Sequence, residues 1–204
     1  MAVGTYYNLH LIMPSMHIPF GFKIDVAEQI KNGVTIPVMV GYQIGFPGKA
    51  EWLIADGKAD MVGYVRALIS DPDMVKKTRE GRVVDIRYCV KDNKGCIGRI
   101  NQSKALGCIQ NPRVGYEPLT GDPSWPPIQR KKKIIVVGAG PSGMEVARVA
   151  HERGHDVTVY EKADTVGGQV KLIGMRPGRG TMQGVIRYLK HMLTEEGVSI
   201  QTGV

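Results

Sequence analysis

Residues 132–162, "KKIIVVGAGPSGMEVARVAHERGHDVTVYEK", contain the pattern that decides the fold. The apolar run "IIVV" predicts a buried strand, a glycine-rich turn follows at once, and a helical segment leads to a second apolar strand, "DVTVY". Strand, turn, helix and strand in this order predict a βαβ unit with parallel strands. Further along, "GVIRYLKHMLTEEG" predicts an amphipathic helix and "VSIQTGV" the start of another strand.

The glycine-rich turn matches the G-x-G-x-x-G fingerprint of dinucleotide binding. Gly138 permits the tight turn, Gly140 lets the backbone approach a pyrophosphate, and Gly143 lets helix and strand pack closely. Glu161 ends the second strand, where it can accept hydrogen bonds from ribose hydroxyls and repel a 2′-phosphate. We therefore expect an unphosphorylated ADP moiety, from FAD or NAD and not NADP. A glycine-rich turn that binds nothing is the plain structural alternative.

All three cysteines lie in one irregular segment, spaced Cys89-x6-Cys96-x11-Cys108. Three soft thiolates within reach of one centre suit zinc or an iron–sulfur cluster. Asp92 is a candidate fourth donor, because zinc accepts carboxylate well and a cubane cluster does so less often. The alternative is three free cysteines that pack as small apolar side chains.

Residues 1–85 alternate strand-like and helix-like segments. The stretches "TIPVMVGYQI" and "ADMVGYVRALI" predict buried strands, and "FKIDVAEQIKNG", "GKAEWLIADGK" and "DPDMVKKTREGR" predict helices. In the last of these helices we expect Asp71 as the N-cap and Pro72 at the first helical position. Short connections between alternating elements predict a parallel sheet. Residues 86–130 lose this periodicity, which indicates an irregular ligand-binding segment and a proline-rich linker.

Composition sets the broad class. The chain has 204 residues, 43% of them apolar, which is enough for one fair core or two small ones. It has no apolar run long enough to span a membrane and no secretory leader pattern, so we expect a cytoplasmic chain that does not bind membranes. The net charge is +8, but the only dense basic run is "QRKKK", and no nucleic-acid motif accompanies it. We expect surface charge and anionic cofactors, and no nucleic-acid partner.

Taken in order, three stretches resemble one family: "IPVMVGYQIGFPGKAEWLIADGKADMVGYVRALISDPD", "GRVVDIRYCVKDNKGCIGRINQSKALGCIQNP" and "IIVVGAGPSGMEVARVAHERGHDVTVYEKADTVGGQ". They are similar to the iron–sulfur branch of the old yellow enzyme family, the group of 2,4-dienoyl-CoA reductase, trimethylamine dehydrogenase and NADH:flavin oxidoreductases. The resemblance implies an α/β chain in three parts. Residues 1–85 would be the C-terminal part of an FMN-binding (β/α)8 (TIM) barrel, residues 86–130 an iron–sulfur loop and linker, and residues 131–204 the N-terminal part of a Rossmann-like FAD/NAD(P)-binding domain.

The resemblance also implies an activity. Electrons would pass between NAD(P)H, FAD, a [4Fe-4S] cluster and FMN, to reduce an enoyl-type substrate or to oxidise an amine. The resemblance covers only a few of the eight barrel units, so we expect a fragment that is inactive as an isolated chain, with possible homo-oligomers through the barrel in the full-length protein. Two alternatives from other classes are a non-catalytic FAD/ADP-binding electron-transfer module and a zinc-stabilised binding protein.

Residue roles implied by the resemblance begin with the cluster. Cys89, Cys96 and Cys108 match its first, third and fourth ligands, and Asp92 stands where the family has its second cysteine. The remaining cofactor-binding positions are Gly41, Gly63, Arg66, Gly138, Gly140, Pro141, Ser142, Gly143, Glu161, Lys162, Gly168 and Gln169.

The barrel part departs from the family at several positions. Arg66 and Gly63 match the FMN-phosphate loop, but Tyr42 and Gln43 stand where the family often has Gly-Arg, and Val65 replaces a glycine. The segment "GTYYNLHLIMPS" resembles a loop that carries an active-site histidine in the reductases. Its His10 is therefore a candidate catalytic residue.

Overall fold

The computed structural model describes residues 6–41, 43–120 and 128–204, which fall into two compact units, Met1–Gly115 and Tyr116–Val204. Both units are mixed α/β structures with parallel sheets. In the part of the chain that is described, no helix has the length and apolarity needed to cross a membrane.

The first unit alternates helices with two very short strands. The strands are β1 (Met39–Val40) and β2 (Met61–Val62), paired in parallel, and the helices are α1 (Leu9–Ile12), α2 (Ile24–Gly33), α3 (Pro47–Ala55), α4 (Arg66–Ser70), α5 (Met74–Arg79) and α6 (Ile97–Ile100), with 3-10 turns at Tyr6–Asn8 and Val83–Asp85. The predicted helices are confirmed. The two predicted buried strands exist but are wrong in extent and burial, since Met39 is 50% and Met61 44% exposed. A two-stranded sheet has two open edges, so it cannot bury its strands on all sides.

Two small cores hold this unit together. One packs α2 and α3 against the sheet through Ile24, Ala27, Val38, Val40, Ile44, Ala50, Leu53 and Ala59. The other joins Ala67, Met74 and Ile86 beneath the partly buried Tyr64, Leu68 and Tyr88. Met74 and Ile86 are essentially inaccessible to solvent. The second core fixes the chain just before Cys89, so apolar burial positions the start of the cysteine segment.

The predicted cap of α5 is wrong. The N-cap residue is Asp73, and Asp71 instead follows α4, where its carboxylate is 4% exposed. Asp71 accepts hydrogen bonds from Lys77 Nζ at 2.7 Å and from the Arg87 main-chain N–H at 2.8 Å. Both of these bonds go to Oδ2, whereas Oδ1 keeps a local bond from the Asp73 main-chain N–H at 3.1 Å. The carboxylate therefore combines a local turn contact with longer-range partners, as a buried charge requires.

The second unit is the βαβ unit expected from the sequence, extended by one strand. Strands β3 (Lys133–Val137), β4 (Asp156–Glu161) and β5 (Ser199–Thr202) are parallel, in the order β3-β4-β5, and the helices are α7 (Glu117–Thr120), α8 (Pro141–Glu152), α9 (Gly168–Gly174) and α10 (Gln183–Glu195), with a 3-10 turn at Gly180–Met182. In register, Val137 pairs with Tyr160 and Glu161 with Thr202. The carboxyl ends of β3 and β4 therefore lie side by side.

The two faces of this sheet differ. The buried face of α10 presents Val185, Tyr188, Leu189 and Leu193, and α8 contributes Met144 and Ala147 to the same core. On the other face of β3, Ile135 is 68% and Val137 87% exposed. A parallel sheet usually buries both faces, and in the described residues this apolar surface of β3 has no cover.

Candidate functional site

The glycine-rich turn and the acid of the second unit are tied together. The Ala139 main-chain N–H donates to Glu161 Oε2 at 2.6 Å, and the Ala163 N–H donates to Oε1 at 2.9 Å. These two donors lower the pKa of the Glu161 carboxyl below its ordinary value. Glu161 is therefore held ionised at the carboxyl end of the sheet, the edge at which ligands of such folds bind.

Glycine suits each of the three fingerprint positions for a different steric reason. Gly138 has a φ of +98°, which favours glycine, and a Cβ on Gly143 would collide with the Gly138 carbonyl oxygen. Gly140 is different, because a Cβ there would meet nothing within 4 Å. The fold needs Gly138 and Gly143, whereas the openness at Gly140 leaves room for a ligand to approach the backbone, as a pyrophosphate would require.

A second glycine pair completes the rim of this turn. The Gly167 N–H donates to the Ala139 carbonyl at 2.8 Å, and a Cβ on Gly168 would lie 3.4 Å from the Gly140 Cα. Gly168 and Gln169 open α9, while Pro141 and Ser142 open α8. The first turn of α8 contains no acidic side chain, so its free N–H groups face no competing charge.

A large cavity of the second unit lies elsewhere. It has a volume of about 710 Å³ and is lined by residues of the α9–α10 region and of β5, among them Lys171, Lys190 and Thr202. None of the fingerprint glycines lines it. The predicted dinucleotide site at the Gly138 turn is therefore distinct from this cavity.

In the first unit the structure brings the four predicted metal-binding residues together. Cys89, Asp92, Cys96 and Cys108 line one cavity. The Lys91 N–H points at Cys89 Sγ at 3.4 Å, and the Gln110 N–H points at Cys108 Sγ at 3.5 Å. Backbone N–H donors to sulfur are a feature of iron–sulfur sites, where they stabilise anionic thiolates.

Without a bound cation, this cavity disfavours the negatively charged forms of its acidic side chains. Burial raises the pKa of both the Cys89 thiol and the Asp92 carboxyl. Positive charge brought to the cavity would reverse that preference, since thiolates and carboxylates are the ligand forms. The donor chemistry therefore fits a soft metal centre.

The present shape of the cavity is narrow. Its volume is about 20 Å³, little more than the roughly 10–15 Å³ that one water needs. Among the described residues, no group of three or more His, Cys, Asp or Glu side chains converges closely enough for a single metal ion. A four-iron cluster fits the donor set but would have to widen the segment when it enters.

A buried polar network fixes the two ends of the cysteine segment. Arg87 Nη1 donates to the Gln110 carbonyl at 2.7 Å, and Gln110 Nε2 donates to the Tyr88 carbonyl at 2.9 Å. Ser70 Oγ donates to the Arg87 carbonyl at 2.7 Å. Cys89 and Cys108 each lie two residues from a member of this network, so its hydrogen bonds hold the two thiols in one neighbourhood.

A second cavity adjoins the cysteines. Its volume is about 50 Å³, and its lining includes Gly41, Gln43, Gly63, Arg66, Cys89 and Lys91. The Gly63 N–H donates to the Val40 carbonyl at 2.8 Å, which sets the two predicted glycines at adjacent strand ends. Arg66 and Cys89 line both cavities. The predicted phosphate-binding and metal-binding residues therefore share a wall.

Arg66 is anchored through one nitrogen. Its Nη1 donates to the Pro14 carbonyl at 2.7 Å and to Asn93 Oδ1 at 2.6 Å, and Asn93 Nδ2 donates to the Met13 carbonyl at 2.8 Å. The guanidinium keeps further donors for a ligand. His10, by contrast, is exposed on α1 and makes no hydrogen bond to a described residue. Lys162 is exposed beside Glu161.

Sequence reasoning missed Lys91. This lysine is 8% exposed and has a φ of +61°, a left-handed conformation uncommon outside glycine. Its burial, followed by the nearby charges of Lys49 and Arg66, lowers its pKa. A lysine between a valine and an aspartate of an irregular loop gives no sequence signal of burial.

These features define a class. A dinucleotide turn in one unit and a cysteine-lined cavity beside a glycine–arginine cavity in the other are the parts of a redox protein. The chain belongs to the family its motifs resemble: over most or all of its length it is homologous to one segment of NADH oxidase, of old yellow enzyme-type reductases and of amine dehydrogenases. Residues 136–191 also match the NAD(P)-binding Rossmann-like domain family, which confirms the Rossmann-like unit.

Individual relatives agree with this family. NADH oxidase of Thermoanaerobacter brockii is 38% identical over all of this chain and 31% of its own length. A 2-naphthoyl-CoA reductase in complex with 2-naphthoyl-CoA superposes with a TM-score of 0.85 at 38% identity, covering 93% of this chain and 29% of the reductase. Histamine dehydrogenase from Rhizobium sp. 4-9 reaches 0.89 at 28% identity, covering 100% of this chain and 30% of the dehydrogenase. The chain thus spans about three-tenths of these relatives.

Proposed function

We propose that the chain is the electron-transfer segment of a flavin- and iron–sulfur-dependent oxidoreductase. The observation that carries this proposal is that Cys89, Cys96, Cys108 and Asp92 line one cavity, which shares Arg66 and Cys89 with the neighbouring glycine–arginine cavity. In this proposal the three thiols and Asp92 hold a [4Fe-4S] cluster. Gly41, Gly63 and Arg66 hold the phosphate end of FMN, as part of a larger (β/α)8 barrel.

The second unit binds an ADP moiety in this proposal. Gly138, Gly140 and Gly143 shape the turn, the N-terminus of α8 receives the pyrophosphate, and Glu161 accepts from the ribose. The charge of Glu161 favours FAD or NAD over a 2′-phosphorylated nucleotide. Pro141, Ser142, Lys162, Gly168 and Gln169 form the rim.

Two kinds of electron carrier, a flavin and an iron–sulfur cluster, would explain why these sites occur in one segment. A flavin exchanges hydride pairs with a nicotinamide or a substrate, and a cluster passes single electrons between flavins. In this proposal the residues of the segment bind such carriers: backbone N–H groups stabilise the thiolates of Cys89 and Cys108, and partial burial limits the access of water to the sulfurs. In the full-length protein, NAD(P)H would supply the electrons and an enoyl-type compound would receive them, or an amine would supply them and a separate electron acceptor would receive them.

Anaerobic reconstitution tests the metal part of this proposal. The 204-residue chain is incubated with iron and sulfide, desalted, and assayed for iron, sulfide and visible absorbance. We expect a brown protein with about four irons per chain. Cys96→Ser should lose most of this iron, and Gln102→Ala, an exposed change on the same segment, should not. A colourless chain that retains zinc instead would overturn the cluster and support the zinc-stabilised alternative.

Equilibrium binding tests the nucleotide part. ADP and 2′-phospho-ADP are titrated calorimetrically into the same chain. We expect ADP to bind and 2′-phospho-ADP to bind at least roughly 10-fold more weakly, because a carboxylate and a phosphate repel at close range. Equal binding of the two ligands would contradict the assignment of Glu161 to the ribose.

A further inference from the structure

One lysine on the lining of the cavity that adjoins the cysteines has no acidic partner. Lys91 is 8% exposed as a residue and lines this cavity, yet its Nζ makes no hydrogen bond or ion pair with any residue that the structure describes. The stem of the side chain is buried, whereas Nζ itself keeps some contact with solvent. A cation held at a cavity in this way favours an anion as its ligand.

Two more cations stand near Lys91, and neither forms an ion pair with a described carboxylate. Arg66, which lines the same cavity, donates from Nη1 to a main-chain carbonyl and to Asn93 Oδ1, both uncharged acceptors. Lys49 lies outside the lining, over the rings of Phe20 and Phe46, at 3.7 and 5.5 Å from their centroids. The two mutually repelling cations on the lining of this 50 Å³ cavity favour an anion with more than one negative charge.

Gln43 adds a buried hydrogen-bond acceptor to the lining of the same cavity. Its Nε2 donates to the Ser15 and Ile18 carbonyls at 3.0 and 3.1 Å, which fixes the orientation of the amide because both partners are acceptors. Its Oε1 is buried and has no donor among the described residues. A ligand that carries a hydroxyl group beside its anion would satisfy it. Phosphate monoesters of polyhydroxy compounds combine both groups.

From these contacts we infer that Lys91, supplied by the cysteine segment itself, binds the phosphate group of the ligand in this cavity, with Gln43 Oε1 accepting from a ligand hydroxyl. This inference rests on the proposed function for the identity of the ligand, a flavin phosphate, and adds a residue pair to it. Lys91 lies between Cys89 and Asp92 in the chain. A phosphate that holds Lys91 therefore also orders the first half of the metal-binding segment, so ligand binding and cysteine order are coupled.

The consequence is a reciprocal effect that a simple phosphate contact would not produce. Phosphate binding should slow alkylation of Cys89, which lines the same cavity, and should favour iron retention. Equally, a reconstituted metal site should raise affinity for the phosphate ligand by the same factor. A lysine that acted only as surface charge would alter neither quantity.

The experiment compares the wild-type chain with Lys91→Met, Lys91→Arg and Lys94→Met, the last an exposed lysine of the same segment. FMN and riboflavin affinities are measured by flavin fluorescence. We expect Lys91→Met to weaken FMN binding roughly 10- to 100-fold and leave riboflavin unchanged, Lys91→Arg to retain most of the affinity, and Lys94→Met to match wild type. Equal FMN affinity in wild type and Lys91→Met overturns the inference while leaving the flavin assignment standing.

A second measurement separates the inference from the flavin assignment. Alkylation of Cys89 by iodoacetamide is followed by mass spectrometry with and without inorganic phosphate, in each variant. Protection by phosphate that Lys91→Met abolishes supports the anion site even if FMN does not bind, in which case only the flavin assignment fails. If neither FMN nor inorganic phosphate binds or protects in a Lys91-dependent way, the inference is wrong.

Discussion

The N–H of Ala139 and Oε2 of Glu161 lie 2.6 Å apart, so the middle residue of the glycine-rich turn is bonded to the acid that ends the neighbouring strand. The acid therefore closes the turn, and in the proposed function it is also the acceptor for the ribose. The other oxygen, Oε1, accepts from the Ala163 N–H, so neither oxygen can rotate away without breaking a hydrogen bond. The Glu161 side chain therefore fixes the shape of the turn and places a negative charge beside it.

Replacing Glu161 by Gln should separate these two roles. The amide oxygen can keep one N–H partner, but the charge that strengthens the contacts to the ribose is lost. We expect ADP affinity to fall roughly 10-fold and the preference against 2′-phospho-ADP to disappear. Calorimetric titration of both ligands measures this, with Asp164→Asn as an exposed control nearby. Unchanged discrimination in Glu161→Gln would show that the selectivity arises elsewhere.

The same carboxylate predicts a pH dependence of stability. Two N–H donors lower the Glu161 pKa below its usual 4.5, so the folded state binds this proton less readily than the unfolded state. Its stabilising contribution is present above the unfolded value and is lost as the pH falls through the lower folded value. Denaturant titrations between pH 7 and about pH 3 should show a shallower acid-side loss in Glu161→Gln. Parallel profiles for the two chains would rule this out.

Two glycines of the fingerprint, Gly140 and Gly143, should respond differently to an added methyl group. Gly143→Ala places a Cβ against the Gly138 carbonyl, a backbone atom that cannot yield, and should destabilise the second unit by about 1–3 kcal/mol. Gly140→Ala meets nothing within 4 Å and should leave stability nearly unchanged while weakening ADP binding. Thermal unfolding and calorimetry on the pair measure both effects. Equal loss of stability in the two variants would contradict the steric argument.

The buried Asp71 should be essential to the first unit. Asp71→Ala strands Lys77, which is 16% exposed, and the buried Arg87 N–H, so we expect a loss of about 3 kcal/mol in the free energy of unfolding. Asp73→Ala, an exposed acid two residues along, should change stability by less than about 0.5 kcal/mol. Denaturant unfolding of both variants measures the difference. Similar losses of unfolding free energy in the two variants would mean that the hydrogen bonds of Asp71 contribute little to stability.

Asp92 is the position at which the metal site can be strengthened. Asp92→Cys supplies a fourth thiolate inside the cavity, which suits a cubane cluster better than carboxylate. We expect a higher iron content after anaerobic reconstitution and slower loss to a chelator. Ser103→Cys adds a thiol to the same segment without lining the cavity, and should bring no gain. Equal iron content in wild type and Asp92→Cys would count against Asp92 as a ligand position.

The glycine-rich turn and the acid of the second unit could be predicted from the sequence, because at these positions the local pattern also determines the tertiary contact. The turn at Gly138 and the acid at Glu161 are separated by one helix and one strand, and parallel pairing brings their ends together in only one way. The cap prediction for Asp71 was wrong in the residue that begins the helix, although Asp71 does keep a local bond from the Asp73 N–H. Its other partners, Lys77 and Arg87, could not be predicted because they depend on how the chain returns. Lys91 was invisible for the same reason, since burial of a loop lysine is decided by the elements that surround it.

Ile135 and Val137 carry a practical consequence. These two apolar side chains are 68% and 87% exposed on one open sheet face. We therefore expect the isolated chain to self-associate as its concentration rises. Sedimentation at rising concentration should reveal reversible self-association that Ile135→Thr with Val137→Thr reduces. Spectroscopy on the metal segment is then best done with that double variant, whose changes lie in the other unit from the cysteines.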